Sequence, residues 1–129
     1  MLDYFLVMVG GALGTGARFW VSGFLAERGG EVFPVGTLVV NVTGSFAIGF
    51  FAAFTDPEGL FLTSPRLRQF FMIGVCGGYT TFSFFSLQTL DLVREGAWFK
   101  GGLNTLLSFV CCLTAVWLGR ILALAVLPK

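Results

Sequence analysis

Histidine is absent from this 129-residue chain, and charge is scarce: eight basic and seven acidic residues make up 12% of it. Without histidine there is no imidazole to move protons near neutral pH or to ligate a metal. A formal net charge of +1 leaves no electrostatic footprint for a nucleic-acid partner. Cysteine is sparse as well. Cys76, Cys111 and Cys112 all fall in apolar stretches and two of them are adjacent, so neither a disulfide framework nor a zinc spacing can be drawn from them. There are only four prolines, and Pro34, Pro57 and Pro65 stand at the ends of apolar stretches, where a helix has to start or stop.

What fills the chain instead is apolar. Hydrophobic residues make up 56% of it and mean hydropathy is +0.87. A water-soluble domain of this length cannot enclose so much greasy surface, so the composition predicts an all-α integral membrane protein. About 20 residues cross the hydrocarbon as a helix, and four such spans can be placed over residues 4–25, 35–54, 69–90 and 103–126. The intervening segments "AERGGEVFP", "TDPEGLFLTSPRLR" and "DLVREGAWFKGG" are read as connections. The first span has no basic leader and contains Arg18, which reads as a retained helix rather than a signal peptide. Residues 1–129 are expected to form a single four-span unit.

The positive charges do not choose an orientation. Four spans put Arg66, Arg68, Arg120 and Lys129 on one side and Arg18, Arg28, Arg94 and Lys100 on the other. Lysine and arginine bias orients a membrane protein, and here it is balanced. The sharper reading of that balance is insertion both ways up, with the two orientations pairing as an antiparallel homodimer. Small residues at four-residue spacing suit close helix packing in lipid: Gly10 with Gly14, Ala12 with Gly16, and Gly44, Ser45 and Gly49 in the second span.

Polar groups at depth are expensive and therefore informative. Asn41 lies within the second span. Asn104 and Ser108, one turn apart, share a face of the fourth, where they can line a path or tie helices together. Arg18 can reach the membrane edge by snorkelling or sit at a wide vestibule and draw in anions. Most unusual is "CGGYTTFSFFS", residues 76–86. Gly77 and Gly78 together weaken a helix by roughly 2 kcal/mol relative to alanine. The hydroxyls that follow can satisfy backbone groups released by a break. Irregular backbone at membrane depth must be walled by protein or line a water-filled cavity, so "GGYTT" predicts an interruption of the third helix whose freed carbonyls can hold a cation. Beyond it, Phe82 and Phe85 share a helix face. Their positively polarised ring edges suit a small anion, and Asn41 supplies an amide N–H donor.

These residues bring a family into view. With "GGALGTGAR", "GTLVVNVTGSFAIG" and "GGYTTFSFFS", the chain resembles the Fluc (CrcB) family of fluoride channels over essentially its whole length. The resemblance implies a dual-topology homodimer, antiparallel in the membrane, with two pores for the passive export of cytoplasmic fluoride. It also implies a central structural sodium ion (Na+) held by carbonyls of both broken helices. Carried over residue by residue, Gly77 and Thr80 supply those carbonyls, and Phe82 and Phe85 meet fluoride with Asn41 beside them. Asn104 and Ser108 fall on a polar track of the fourth helix, and Arg18 stands at the vestibule. A multi-pass place in the cell (inner) membrane and a role in fluoride resistance follow from the same resemblance. The chain departs from the family pattern at Phe84, Gln88, Cys112 and Val116, which bears on the outer pathway rather than the centre.

Other classes fit the residues less well. A small dual-topology multidrug-type transporter needs a membrane-embedded carboxylate, whereas Asp3, Glu27, Glu31, Asp56, Glu58, Asp91 and Glu95 all fall at span ends or in connections. A non-transporting assembly protein accounts for the small residues but not for a broken helix beside paired phenylalanines. An enzyme is excluded by its missing parts, since there is no histidine, no buried carboxylate pair and no Ser–Lys dyad.

Overall fold

The computed structural model describes residues 1–29, 33–56 and 63–126. Among the described residues, four stretches are helical, long and apolar enough to cross a membrane: Leu2–Arg28, Val35–Phe54, Pro65–Arg94 and Trp98–Val126. The first belongs to α1 (Leu2–Gly29), and the second is α2 (Val35–Phe54). The third is a composite. It consists of α3 (Pro65–Gln69), a π-helical segment (Phe70–Cys76), α4 (Gly77–Tyr79) and, after an interruption, α5 (Phe82–Arg94). The fourth is α6 (Trp98–Val126). Pro57, Glu31, Glu58 and Lys129 lie outside the described residues.

The third and fourth spans extend beyond the expected 69–90 and 103–126, and the segment read as a twelve-residue connection is mostly helix. A tight stop explains this. Glu95 caps α5 and Gly96 follows in the left-handed region at φ 81°. Ala97 N–H then donates to the Leu92 carbonyl at 2.8 Å and Gly96 N–H to that of Val93 at 3.0 Å. This closing pattern needs a glycine at the left-handed position and uses up the last carbonyls of the helix. The chain reverses in three residues and α6 starts at once.

Glycines set the helix contacts. A Cβ on Gly49 would lie 2.9 Å from Val116 Cα, and one on Gly119 would lie 2.9 Å from Phe50 N, so α2 and α6 meet backbone to backbone. Gly10 and Gly14 bring α1 onto the π-helical segment and α4 in the same way. Such approach replaces hydrophobic drive, which is absent between helices in lipid. The other small pair differs from expectation: Ala12 and Gly16 are exposed on the single chain, and a Cβ on Gly16 would meet nothing. At the chain's start Asp3 pairs with Arg66 at 2.9 Å, an exposed contact of small energetic weight. Arg68 Nη1 donates to the Thr55 carbonyl at 3.0 Å and so satisfies the C-terminal end of α2.

Candidate ion site at the helix break

The third span breaks at Thr80 and Thr81, not at the glycines. Gly77 opens α4 with helical angles (φ −64°, ψ −38°), whereas Thr80 (φ −84°, ψ 159°) and Thr81 (φ −153°, ψ 117°) are extended. Gly78 serves packing instead. A Cβ there would overlap the carbonyl of Gly11 on α1, so the glycine permits contact between the two backbones. Extended β-branched residues fit the break because their side chains are stiff in a helix.

Several of the backbone groups released by the break find substitute partners. In an unbroken helix, Thr81 N–H would donate to the Gly77 carbonyl four residues back. Here it donates to Asn41 Oδ1 at 2.8 Å, and Asn41 Nδ2 returns a bond to the Thr81 carbonyl at 3.0 Å. Phe84 N–H, the helical donor for the Thr80 carbonyl, goes to Thr81 Oγ1 at 3.2 Å, an N-cap for α5. The Gly78 carbonyl accepts from Thr15 Oγ1 at 3.3 Å and Arg18 Nε at 3.2 Å. The carbonyls of Gly77, Tyr79 and Thr80 also lose their helical donors at the break, and among the described residues none of the three gains a substitute.

A cavity of about 580 Å³ opens at the break. Of the expected ion-site residues, Asn41, Gly77, Thr80, Phe82, Phe85 and Ser108 line it, and so does Cys112, a departure from the family pattern expected to bear on the outer pathway rather than the centre. The rings of Phe82 and Phe85 lie 5.4 Å apart, tilted by 51°. Phe82 is 80% exposed, so this single chain leaves its side of the cavity open. Ser108 is buried and its hydroxyl has no partner among the described residues.

Two positions are placed elsewhere. Asn104, 1% exposed, donates through Nδ2 to Thr89 Oγ1 at 2.8 Å and ties α6 to α5, one helical turn away from the cavity-lining Ser108. Arg18 does not line the cavity; its Nε is committed to the break itself. Sequence reasoning missed Thr15 altogether. The signal was its spacing, because positions 15 and 18 share a helix face with Gly11. Phe84 and Gln88, both departures from the family pattern, line a second cavity of about 340 Å³ beside the start of α2, where Gln88 Oε1 is buried without a partner among the described residues.

The arrangement is bipolar. The carbonyl end of α4 is electronegative, and the N-terminal end of α5 presents main-chain N–H groups and the positive end of a helix dipole. A cation suits the first and a small anion the second. Among the described residues no three His, Cys, Asp or Glu side chains come together.

Comparison with known proteins identifies the family. Residues 5–120 match the family model described as CrcB-like protein, Camphor Resistance (CrcB). The chain belongs to the CrcB family. Among its relatives, the "Fluoride-specific ion channel FluC" of Methylocella silvestris is 55% identical over 125 residues, covering 97% of this chain and 95% of the relative. The protein of the same name from Opitutus terrae is 58% identical over 93% of this chain and 91% of its own. That of Rhodospirillum rubrum is 52% identical over 93% of each. The family read from the three motifs is thus the family found, and a CrcB-like chain with four membrane-capable helices is a multi-pass membrane protein.

Proposed function

We propose that this CrcB-like chain is a fluoride-selective channel that lets cytoplasmic fluoride leave the cell passively through the inner membrane. The observation that carries the reading is the break at Thr80–Thr81, opening a cavity lined by an amide, a free hydroxyl and two phenyl rings. The names of the relatives point the same way. Fluoride is small and strongly hydrated, and a protein that strips its water has to return donors. Asn41 commits one Nδ2 hydrogen to Thr81 and has a second to give. Ser108 has an uncommitted hydroxyl, and the edges of Phe82 and Phe85 add weak positive potential without the charge that would trap the ion.

The working unit in this reading is an antiparallel homodimer with two pores. Balanced positive charge, the open side at Phe82 and the unpartnered Ala12–Gly16 face support it. The freed carbonyls of Gly77 and Thr80 fit a sodium ion, since hard oxygen donors replace its hydration shell. Two carbonyls are few for that purpose, and a second copy doubles them. When bound, the ion would neutralise facing carbonyl dipoles and join the two broken spans. Asn104 acts as a helix tie, and Ser108 is the α6 group facing the anion.

The test is resistance. Cells deprived of their own fluoride export and supplied with this chain should grow in fluoride medium that arrests cells with an empty vector. Equal arrest, with the protein present in the membrane, would contradict the reading.

A further inference from the structure

The Gly78 carbonyl is the one released group at the break that is held by α1. Its helical donor, Phe82 N–H, opens α5 instead. Thr15 Oγ1 and Arg18 Nε, three residues apart on one face of α1, replace it. The absence of a side chain on Gly78 brings its peptide against Gly11 on that same face. Three residues along the chain, Asn41 of α2 holds Thr81 by both its N–H and its carbonyl. Only Tyr79 and Thr80 lie between these two fixed peptides.

We propose that Thr15 and Arg18 are positioning residues for the ion path. Together they form the α1 half of a two-sided clamp on the break, and Arg18 serves through its Nε–H donor rather than by attracting anions with its charge. The proposal rests on the fluoride-conduction reading above. With the Gly78 peptide fixed from α1 and the Thr81 peptide fixed from α2, the backbone of Thr80 has little freedom, and the N-terminal end of α5 is aimed at the cavity. The Arg18 Nε–H is engaged by a main-chain carbonyl, and Arg18 is not among the residues that line the cavity. An unpaired carbonyl at depth is expensive enough to redirect the segment if the donors are removed.

Bond counting supplies the discriminating variants. Glutamine carries Nε2 the same number of bonds from Cα as arginine carries Nε, so Arg18→Gln keeps the donor and drops the charge. Arg18→Met keeps the stem and drops both. Thr15→Val removes the second donor and Thr15→Ser restores it. The full-length protein is purified, reconstituted in liposomes and assayed for fluoride efflux, with hydrogen exchange read across residues 77–82. Arg18→Gln should stay within about twofold of wild type, while Arg18→Met falls about tenfold and exchanges faster at the Thr80 and Thr81 amides. Thr15→Val should fall in the same direction and Thr15→Ser recover. If Arg18→Met does not fold, the Thr15 pair decides.

Arg18→Gln as impaired as Arg18→Met in a conducting preparation would overturn the clamp and make the charge the working feature. So would unchanged exchange in both Arg18→Met and Thr15→Val. Wild-type protein that carries no fluoride would instead overturn the conduction reading, and exchange across residues 77–82 would still judge the clamp.

Discussion

Asn41 and Thr81 exchange two hydrogen bonds across the helix break: the Thr81 N–H donates to Asn41 Oδ1 at 2.8 Å, and Asn41 Nδ2 donates to the Thr81 carbonyl at 3.0 Å. The side-chain amide of α2 thus stands in for a missing backbone neighbour and keeps one hydrogen for the cavity. Replacing Asn41 by Leu should leave both Thr81 groups unpaired and cost about 2 kcal/mol or more of stability. Asn41→Asp keeps the acceptor, loses the donor and adds a negative charge, so it should abolish fluoride flux more completely than it lowers stability. Thermal unfolding in detergent and efflux from liposomes separate the two effects.

The phenylalanine pair gives a cleaner test of anion chemistry. Phe82→Ile and Phe85→Ile retain bulk and apolarity while removing the polarised ring edge. Each should lower fluoride efflux at least about tenfold, because an edge–anion contact at low dielectric has no aliphatic substitute. Elution volume should stay that of the wild type. Normal flux in both would reduce the rings to packing.

How much of this is legible in the residues alone varies with the range of the interaction. The second span reads at its true bounds because Pro34 and the apolar run mark it locally. The sequence points to a break within "GGYTT", and the break falls on its two threonines while Gly77 and Gly78 are helical. Glycine weakens a helix by only about 1 kcal/mol, and contact with Gly11 outweighs that for Gly78. The true break depends on a side chain 40 positions away, Asn41, and such pairing cannot be seen from spacing. The Arg18–Gly78 contact is hidden for the same reason. Asn104 is visible as a polar residue at depth, but its choice of Thr89 over the cavity is a fact of packing.

The two glycines should therefore behave differently when changed to alanine. A Cβ on Gly77 has the Met72 carbonyl oxygen, 3.9 Å away, as its nearest neighbour outside its own turn, and Gly77→Ala should fold normally. Gly78→Ala would drive α4 off α1 and should cost about 1–3 kcal/mol through overpacking. The yield of folded protein after extraction measures both. Equal yields would show that Gly78 is not the packing residue described.

Orientation can be tested through the charges. With four lysines and arginines assigned to each side, a C-terminal reporter should be found on both faces of the membrane in similar amounts. Several lysines added to one side should force one orientation and reduce flux by removing the antiparallel partner. Restored flux on co-expressing two oppositely biased variants would complete the case, whereas a wild-type reporter on one face alone would end it.

The central claim is that fluoride passes through this protein as an ion, uncoupled from any other. The direct measurement is fluoride efflux from liposomes loaded with potassium fluoride and containing the purified protein, recorded with a fluoride electrode before and after valinomycin. A fluoride channel moves net charge, so efflux should stall until valinomycin lets potassium leave and then run rapidly, while liposomes loaded with chloride retain their anion. No release after valinomycin, the same release without it, or equal release of chloride would contradict the account.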